Sequence, residues 1–313
     1  WRHGLQPTNA FKPYVLAPAV RVDFHAPSPA IEYVRAHARE PWRVAGFRGN
    51  LTPGWSAVYD LEGISGPDAV LNPYYRELAE ALGFNRIWDW RLYLQTDSLA
   101  RLRRGYDVVG LRYYLAMAHH DAAAATVLPR VFRGDLDVYE SDSAWPRAFF
   151  TDRVAVYTEA KRFGELVRDG DGRPFAAIQA GDRVSLPETP ATDLATRAVY
   201  PASEYKLTNN TTSFVVEAPS AGVIVLQEAW MKDDFRVTVN GAPATYFRAN
   251  HAFKGIVVER PGTYRVTFAY WPRRLTVSLI SSVLAMIALL AVAVVEIGAV
   301  RRRTQALRHA RAG

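Results

Sequence analysis

Residues 263–295 read TYRVTFAYWPRRLTVSLISSVLAMIALLAVAVV, and one register change inside them divides the chain. Up to Tyr270 the apolar positions alternate: Tyr264, Val266, Phe268 and Tyr270 interleave with Arg265, Thr267 and Ala269, the period of a strand with one wet face. From Leu275 to Val295 there is no charge at all, until Glu296 and then Arg301, Arg302 and Arg303 close the run. A hydrocarbon core of about 30 Å needs roughly 20 apolar residues in a helix, so residues 275–298 are expected to span a membrane. A signal peptide would lie at the other end of the chain, and a core helix would be amphipathic.

The flanks predict orientation. Five arginines (Arg301, Arg302, Arg303, Arg308 and Arg311) follow the span and two (Arg273 and Arg274) precede it. Positive charge favours the cytoplasmic side, which places the basic tail, 299–313, in the cytoplasm and residues 1–272 outside. Seven arginines against Glu296 give residues 273–313 a charge of +6 out of the total +7. The basic balance therefore belongs to the tail and argues for no nucleic-acid partner. The absence of cysteine excludes disulfides and thiol chemistry and suits a bacterial cell-envelope protein. Because the chain opens on Trp1 without an export signal, it is expected to be the C-terminal piece of a longer polypeptide. Residues 1–27 would then lead in from missing upstream membrane spans.

Moving back along the chain, residues 200–272 hold six short β-branched or aromatic runs: 212–218, 222–228, 235–239, 244–248, 253–258 and 263–270. Asn240-Gly241 predicts a type I′ hairpin and Pro261-Gly262 another turn. Six strands without a helix signal predict an antiparallel β-sandwich, joined by Trp271 directly to the span. Trp271 and Tyr270 suit the outer membrane interface. Residues 187–199, rich in Pro, Thr and Asp, read as a linker. Residues 28–186 read as a mixed α/β domain, making the whole an α+β protein. Ser28-Pro29 and Asn72-Pro73 open helices, with Ile31, Val34 and Ala38 on one apolar face and Tyr75, Leu78, Ala79 and Leu82 on the other. A third helix is expected at 159–168, and strands at 108–115, 136–139, 148–156 and 175–178.

Signals for chemistry are sparse. His119-His120-Asp121 lacks a third metal ligand at a recognised spacing and reads as a solvated loop. Asp169-Gly170-Asp171-Gly172 lacks the carboxylate ladder of a calcium loop and reads as a turn. No nucleophile elbow, phosphate-binding loop or zincin helix occurs, and no catalytic, cofactor or metal residue is assigned. Two aromatic-rich stretches remain, residues 50–76 and 228–255. Trp55, Tyr74, Trp230, Arg248, Asn250 and His251 are the candidate contacts for a glycan or lipid head group, because rings stack on sugar CH faces while polar neighbours pair with hydroxyls. Arg248 is the candidate for a carrier phosphate. The competing reading makes these rings core and the Gly, Pro and Asn residues loop-formers.

The same stretches carry a family resemblance. Val223-Ile224-Val225-Leu226-Gln227-Glu228-Ala229-Trp230, Phe235-Arg236-Val237-Thr238-Val239-Asn240-Gly241 and Phe247-Arg248-Ala249-Asn250-His251-Ala252-Phe253-Lys254-Gly255 form one ordered set, followed by Pro261-Gly262-Thr263-Tyr264 and Tyr270-Trp271-Pro272. Upstream stand Tyr59-Asp60-Leu61-Glu62-Gly63-Ile64-Ser65-Gly66-Pro67-Asp68 with Asn72-Pro73-Tyr74-Tyr75-Arg76, and Asp137-Val138-Tyr139-Glu140 with Trp145-Pro146-Arg147-Ala148-Phe149. Together they resemble the C-terminal extracytoplasmic module of YfhO-type bacterial membrane proteins, across most of residues 40–300. The resemblance implies a multi-span, GT-C-like glycosyltransferase using a polyprenyl-phosphate sugar donor and a cell-envelope glycan or lipid acceptor. Its catalytic carboxylate is expected in an early loop outside this chain, so no catalytic residue carries over and this chain alone should be inactive. The expected partners are the lipid bilayer and the missing N-terminal membrane region. The alternative is a non-catalytic, membrane-anchored glycan-binding or scaffold module.

Overall fold

The computed structural model describes residues 28–38, 40–51, 55–64, 72–88, 91–117, 121–182, 184, 186 and 193–310; the side chains of Trp55, Ala122, Arg301 and residues 303–310 are outside that description. The lead-in 1–27, residues 187–192 of the linker and the His119-His120 pair lie outside the described residues, and the linker's last residue, Val199, already belongs to a strand.

Helix α1 (Pro29–His37) starts where its cap requires: the Ser28 hydroxyl accepts from Ile31 N, proline occupies the first turn, and Ala30, Ile31 and Val34 are buried. Strand β1 (Arg43–Gly46), the single-turn α2 (Trp55–Val58) and β2 (Glu62–Gly63) follow. Helix α3 (Pro73–Leu82) is capped by Asn72 Oδ1, which accepts from Tyr74 N and Tyr75 N, and it ends at Gly83 with φ +75°. After the short pair β3 (Arg86–Trp88) and β4 (Arg91–Leu92) comes α4 (Leu99–Val108), which the sequence reading missed although Leu99, Leu102 and Tyr106 bury at helical spacing. It takes Val108 from the expected strand. Gly110, at φ +69°, reverses the chain, and β5 begins at Leu111 (Leu111–Ala116).

Beyond a 3₁₀ turn (Ala122–Thr126), β6 (Arg130–Arg133) and β7 (Asp137–Glu140) complete a mixed sheet in the order β2-β1-β5-β7-β6. The expected single strand over 148–156 divides into β8 (Ala148–Thr151) and β9 (Val154–Tyr157), which join different sheets. Helix α5 (Ala160–Asp169) crosses over to β10 (Ala176–Gln179), which pairs with β9 in parallel.

The remaining strands are β11 (Val199–Pro201), β12 (Ser203–Leu207), β13 (Thr211–Ala218), β14 (Gly222–Leu226), β15 (Phe235–Val239), β16 (Ala242–Ala244), β17 (Phe247–Ala249), β18 (Phe253–Val258) and β19 (Gly262–Tyr270). They form two five-stranded antiparallel sheets, β11-β8-β14-β18-β17 and β12-β13-β19-β15-β16. Residues 244–248, expected as one strand, supply β16 to one sheet and β17 to the other, crossing at Thr245-Tyr246.

The sheet holding β8 is the middle layer. Its Phe149, Val223, Val225 and Phe253 side chains enter the core shared with α3, α4 and α5. The alternating Phe150, Ile224, Leu226 and Ile256 enter a second core with Phe214, Val237, Val266 and Phe268 of the other sheet. Burial on both faces explains why β8 and β14 read as unbroken apolar runs. Since β8 bonds to both β11 and β14, the strands of residues 200–272 do not close on themselves.

Helix α6 (Leu275–Ala310) leaves the body as a continuous rod about 54 Å long at 1.5 Å per residue. Its Leu275–Val300 portion is long and apolar enough to cross a membrane, and none of its most apolar stretch is buried.

Candidate functional site

Strand register gathers one set of loops beside the start of α6. Tyr270 pairs with Phe235, Thr211 with Ala269, Leu226 with both Lys254 and Ala148, and Ala249 with Phe253. Residues 147, 208–212, 227–235 and 250–254 therefore lie at the end of the sheets from which the helix departs.

Four of the six candidate contacts meet there around Tyr74. The Trp230 ring stands edge-on to Tyr74 at 5.2 Å, His251 at 6.3 Å, and the Arg248 guanidinium lies over the Tyr74 ring at 4.5 Å. Asn72 Nδ2 donates to Trp230 O at 2.7 Å, fixing the loop after β14 to the cap of α3. Arg248 donates to Gln179 Oε1 at 2.8 Å and to both Asp182 oxygens at 3.1 Å, so its charge is already matched. Asn250, fully buried with φ +48°, uses its whole amide on the backbone: Oδ1 accepts from Ala177 N at 2.6 Å and Nδ2 donates to Phe175 O at 2.8 Å. It sews the β17–β18 turn onto β10. Trp55 begins α2, and its side chain is outside the described residues.

His251 occupies the centre of a relay. Nδ1 is 3.1 Å from the Tyr157 hydroxyl and Nε2 is 3.0 Å from Glu77 Oε2. A neutral ring satisfies both contacts when Nε2–H donates to Glu77 and Tyr157 donates to Nδ1. Burial lowers the His251 pKa, while the hydrogen bond it donates to Glu77 works in the opposite direction. Burial also raises the Tyr157 hydroxyl. Glu77 and Tyr157 were not among the sequence candidates; Glu77 lies on the same half-buried side of α3 as Tyr74, one helical step away.

A second arrangement, also missed, lies alongside. Arg147 bridges Glu62 and Glu228, at 3.1 Å from the latter. Glu228 Oε2 accepts from Lys254 Nζ at 2.9 Å and Oε1 from the Thr212 hydroxyl at 2.7 Å. Lys254 is 1% exposed, and its ammonium stands 3.4 Å from the Phe235 ring centroid. Burial alone would raise the Glu228 carboxyl; the Lys254 and Arg147 cations overcome it and hold the group at about 2. Glu62, Arg147, Thr212 and Glu228 of this network floor a cavity of about 640 Å³ whose walls include Asn209, Asn210, Met231 and Tyr270, with Lys254 buried behind them. The available signal was a lysine and a glutamate interrupting apolar strand runs, where a charge must find a partner.

Asp121, expected in a solvated loop, is buried and accepts from Met117 N and Arg48 Nε, each at 2.9 Å. Asp171 binds the buried Arg197 at 2.5 Å and accepts from Arg173 N at 2.9 Å, which makes its turn a brace. Among the described residues no group of three or more His, Cys, Asp or Glu is placed to hold a metal ion. Compared with known proteins, the chain matches no family model, no curated protein and no solved structure.

Proposed function

We propose that this chain works as the extracytoplasmic, acceptor-side portion of a YfhO-like membrane glycosyltransferase, one that moves a sugar from a polyprenyl-phosphate carrier to a cell-envelope acceptor. One observation carries the reading. Glu62, Arg147, Glu228 and Lys254 come from three separate stretches that bear the resemblance, and they converge on one charged network beside the membrane-entering helix. The facing antiparallel sheets, read as a β-sandwich resting on the α+β layer, would hold that network rigid against the bilayer. Five arginines after the span against two before it support an outside body and a cytoplasmic tail. The chain's own part is to shape or bind the acceptor, with transfer chemistry supplied by a membrane region upstream.

Cells lacking the gene should lose one sugar from an envelope polymer or lipid. The full-length polypeptide should restore it, and Trp230→Ala should restore it poorly at an unchanged protein level. An envelope of identical sugar composition with and without the gene would sink the enzyme reading in favour of a membrane-anchored scaffold.

A further inference from the structure

We infer that the cavity floored by Arg147 and Glu228 takes the uncharged sugar head group of a membrane-borne glycolipid. Charge comes first. Along Glu62, Arg147, Glu228 and Lys254 the signs alternate, and each cation already faces a carboxylate. Among the described residues lining the cavity Arg147 is the single cation, and it is already matched by Glu62 and Glu228, which sets this cavity apart from a carrier-phosphate site.

The groups left over suit hydroxyls. Arg147 engages only one Glu62 oxygen, and Glu62 is 36% exposed. Asn209 and Asn210 stand exposed at the tip of the β12–β13 hairpin. Their turn is held by the Thr208 hydroxyl and by the bond from Tyr270 N to Asn210 O at 2.7 Å, through backbone groups and not through their side-chain amides. Acceptors and two-way amides on one rim match a ring that both donates and accepts. Beside them, Phe235 and Tyr270 pack with centroids 5.4 Å apart, and Tyr270 is 37% exposed. Such a wall stacks on the CH face of a sugar.

Position selects the source. Tyr270 is five residues before Leu275, where the apolar helix begins, so the cavity mouth stands at head-group depth when that helix is in a bilayer. The inference deepens the function proposed above and rests on it for the role of acceptor; it names a neutral glycolipid as what this cavity holds.

The test uses the full chain in nanodiscs of phosphatidylglycerol, with and without monoglucosyl-diacylglycerol, and with free maltose as a separate arm. Glycolipid should slow amide exchange in residues 207–212 and 231–235 and raise the thermal midpoint. Asn210→Ala and Tyr270→Ala should each weaken glycolipid binding about tenfold, as expected when one contact of a small site is removed. Equal exchange in both kinds of disc, or undiminished binding by both variants, overturns the inference. Protection by maltose equal to that by glycolipid overturns the lipid source. Intact glycolipid binding by a chain whose full-length form transfers no sugar would defeat only the proposed enzyme. Undisturbed transfer without glycolipid binding would defeat only this inference.

Discussion

The ammonium of Lys254 and the carboxylate of Glu228 meet at 2.9 Å inside the β-layer, with Lys254 1% exposed and Glu228 also held by Arg147 and Thr212. A buried pair of this kind need not add stability over an apolar replacement, but removing one partner leaves a charge stranded in a low dielectric. Lys254→Met should therefore destabilise the protein by about 1–3 kcal/mol, since Arg147 and Thr212 still hold the Glu228 carboxylate in part. Adding Glu228→Gln should cost less than the sum of the two single changes, because the stranded charge goes with it. Chemical denaturation of the two singles and the double closes the cycle, and strict additivity would show that the pair is uncoupled.

His251 makes the fold sensitive to mild acid. Its pKa is lowered from 6.5 in the folded state by burial, so the unfolded chain binds the proton more readily. The stability it contributes is complete above 6.5 and is lost as pH falls through the folded value. Thermal midpoints of the full chain in nanodiscs should drop on acidification from ~pH 8 to ~pH 5, and His251→Gln should flatten that drop. Glu77→Gln removes a group that raises the His251 pKa, so the fall should still begin near 6.5 but become larger and extend to lower pH. An unaltered profile in His251→Gln would assign the acid response elsewhere.

At the β15–β16 hairpin, Asn240 and Gly241 have φ of +51° and +81°, the two positive values of a type I′ turn. Nothing lies within 4 Å of the site a Gly241 Cβ would occupy, so any penalty there is purely conformational. Gly241→Val should lower stability by about 1 kcal/mol or more, since a β-branched residue resists positive φ. An unchanged denaturation midpoint would contradict the turn.

Gly222 tests the insertion of β8 into the middle sheet. A Cβ at this position would press on Thr151 O and come within 2.6 Å of the Phe150 ring. Gly222→Ala should destabilise by about 1–3 kcal/mol, the range for overpacking a close-packed site. Hydrogen exchange should quicken in residues 148–151 together with 222–226. Acceleration confined to residues 222–226 would mean that the two strands do not depend on each other.

Topology is open to a direct experiment. Protease added to spheroplasts should digest the sheets of residues 199–270 and spare a tag placed after Gly313, because the arginine excess follows the span. Protection of the sheets would reverse the orientation and remove the acceptor-side role.

Local causes were legible in the sequence. Ser28 and Asn72 cap helices within three residues of themselves, Asn240-Gly241 sets its own φ values, and the charge-free run after Arg274 makes an apolar helix wherever it sits. Tyr74, Trp230, Arg248 and His251, picked from two distant aromatic-rich stretches, do come together, but the side-chain partners of Arg248 and His251, namely Gln179, Asp182, Tyr157 and Glu77, were not legible. Tertiary structure decided the rest, because the determining partners are far apart in the chain. Arg147 reaches Glu228 across 81 residues, Arg248 reaches Asp182 across 66, and His251 reaches Glu77 across 174. Strand periodicity tells which face is wet. A strand such as β8, with all four residues buried, has no wet face, so its sequence carries no alternation to name its neighbours. A charge within such layers is settled by whichever opposite charge the packing brings within reach, and that choice is made only when the sheets close.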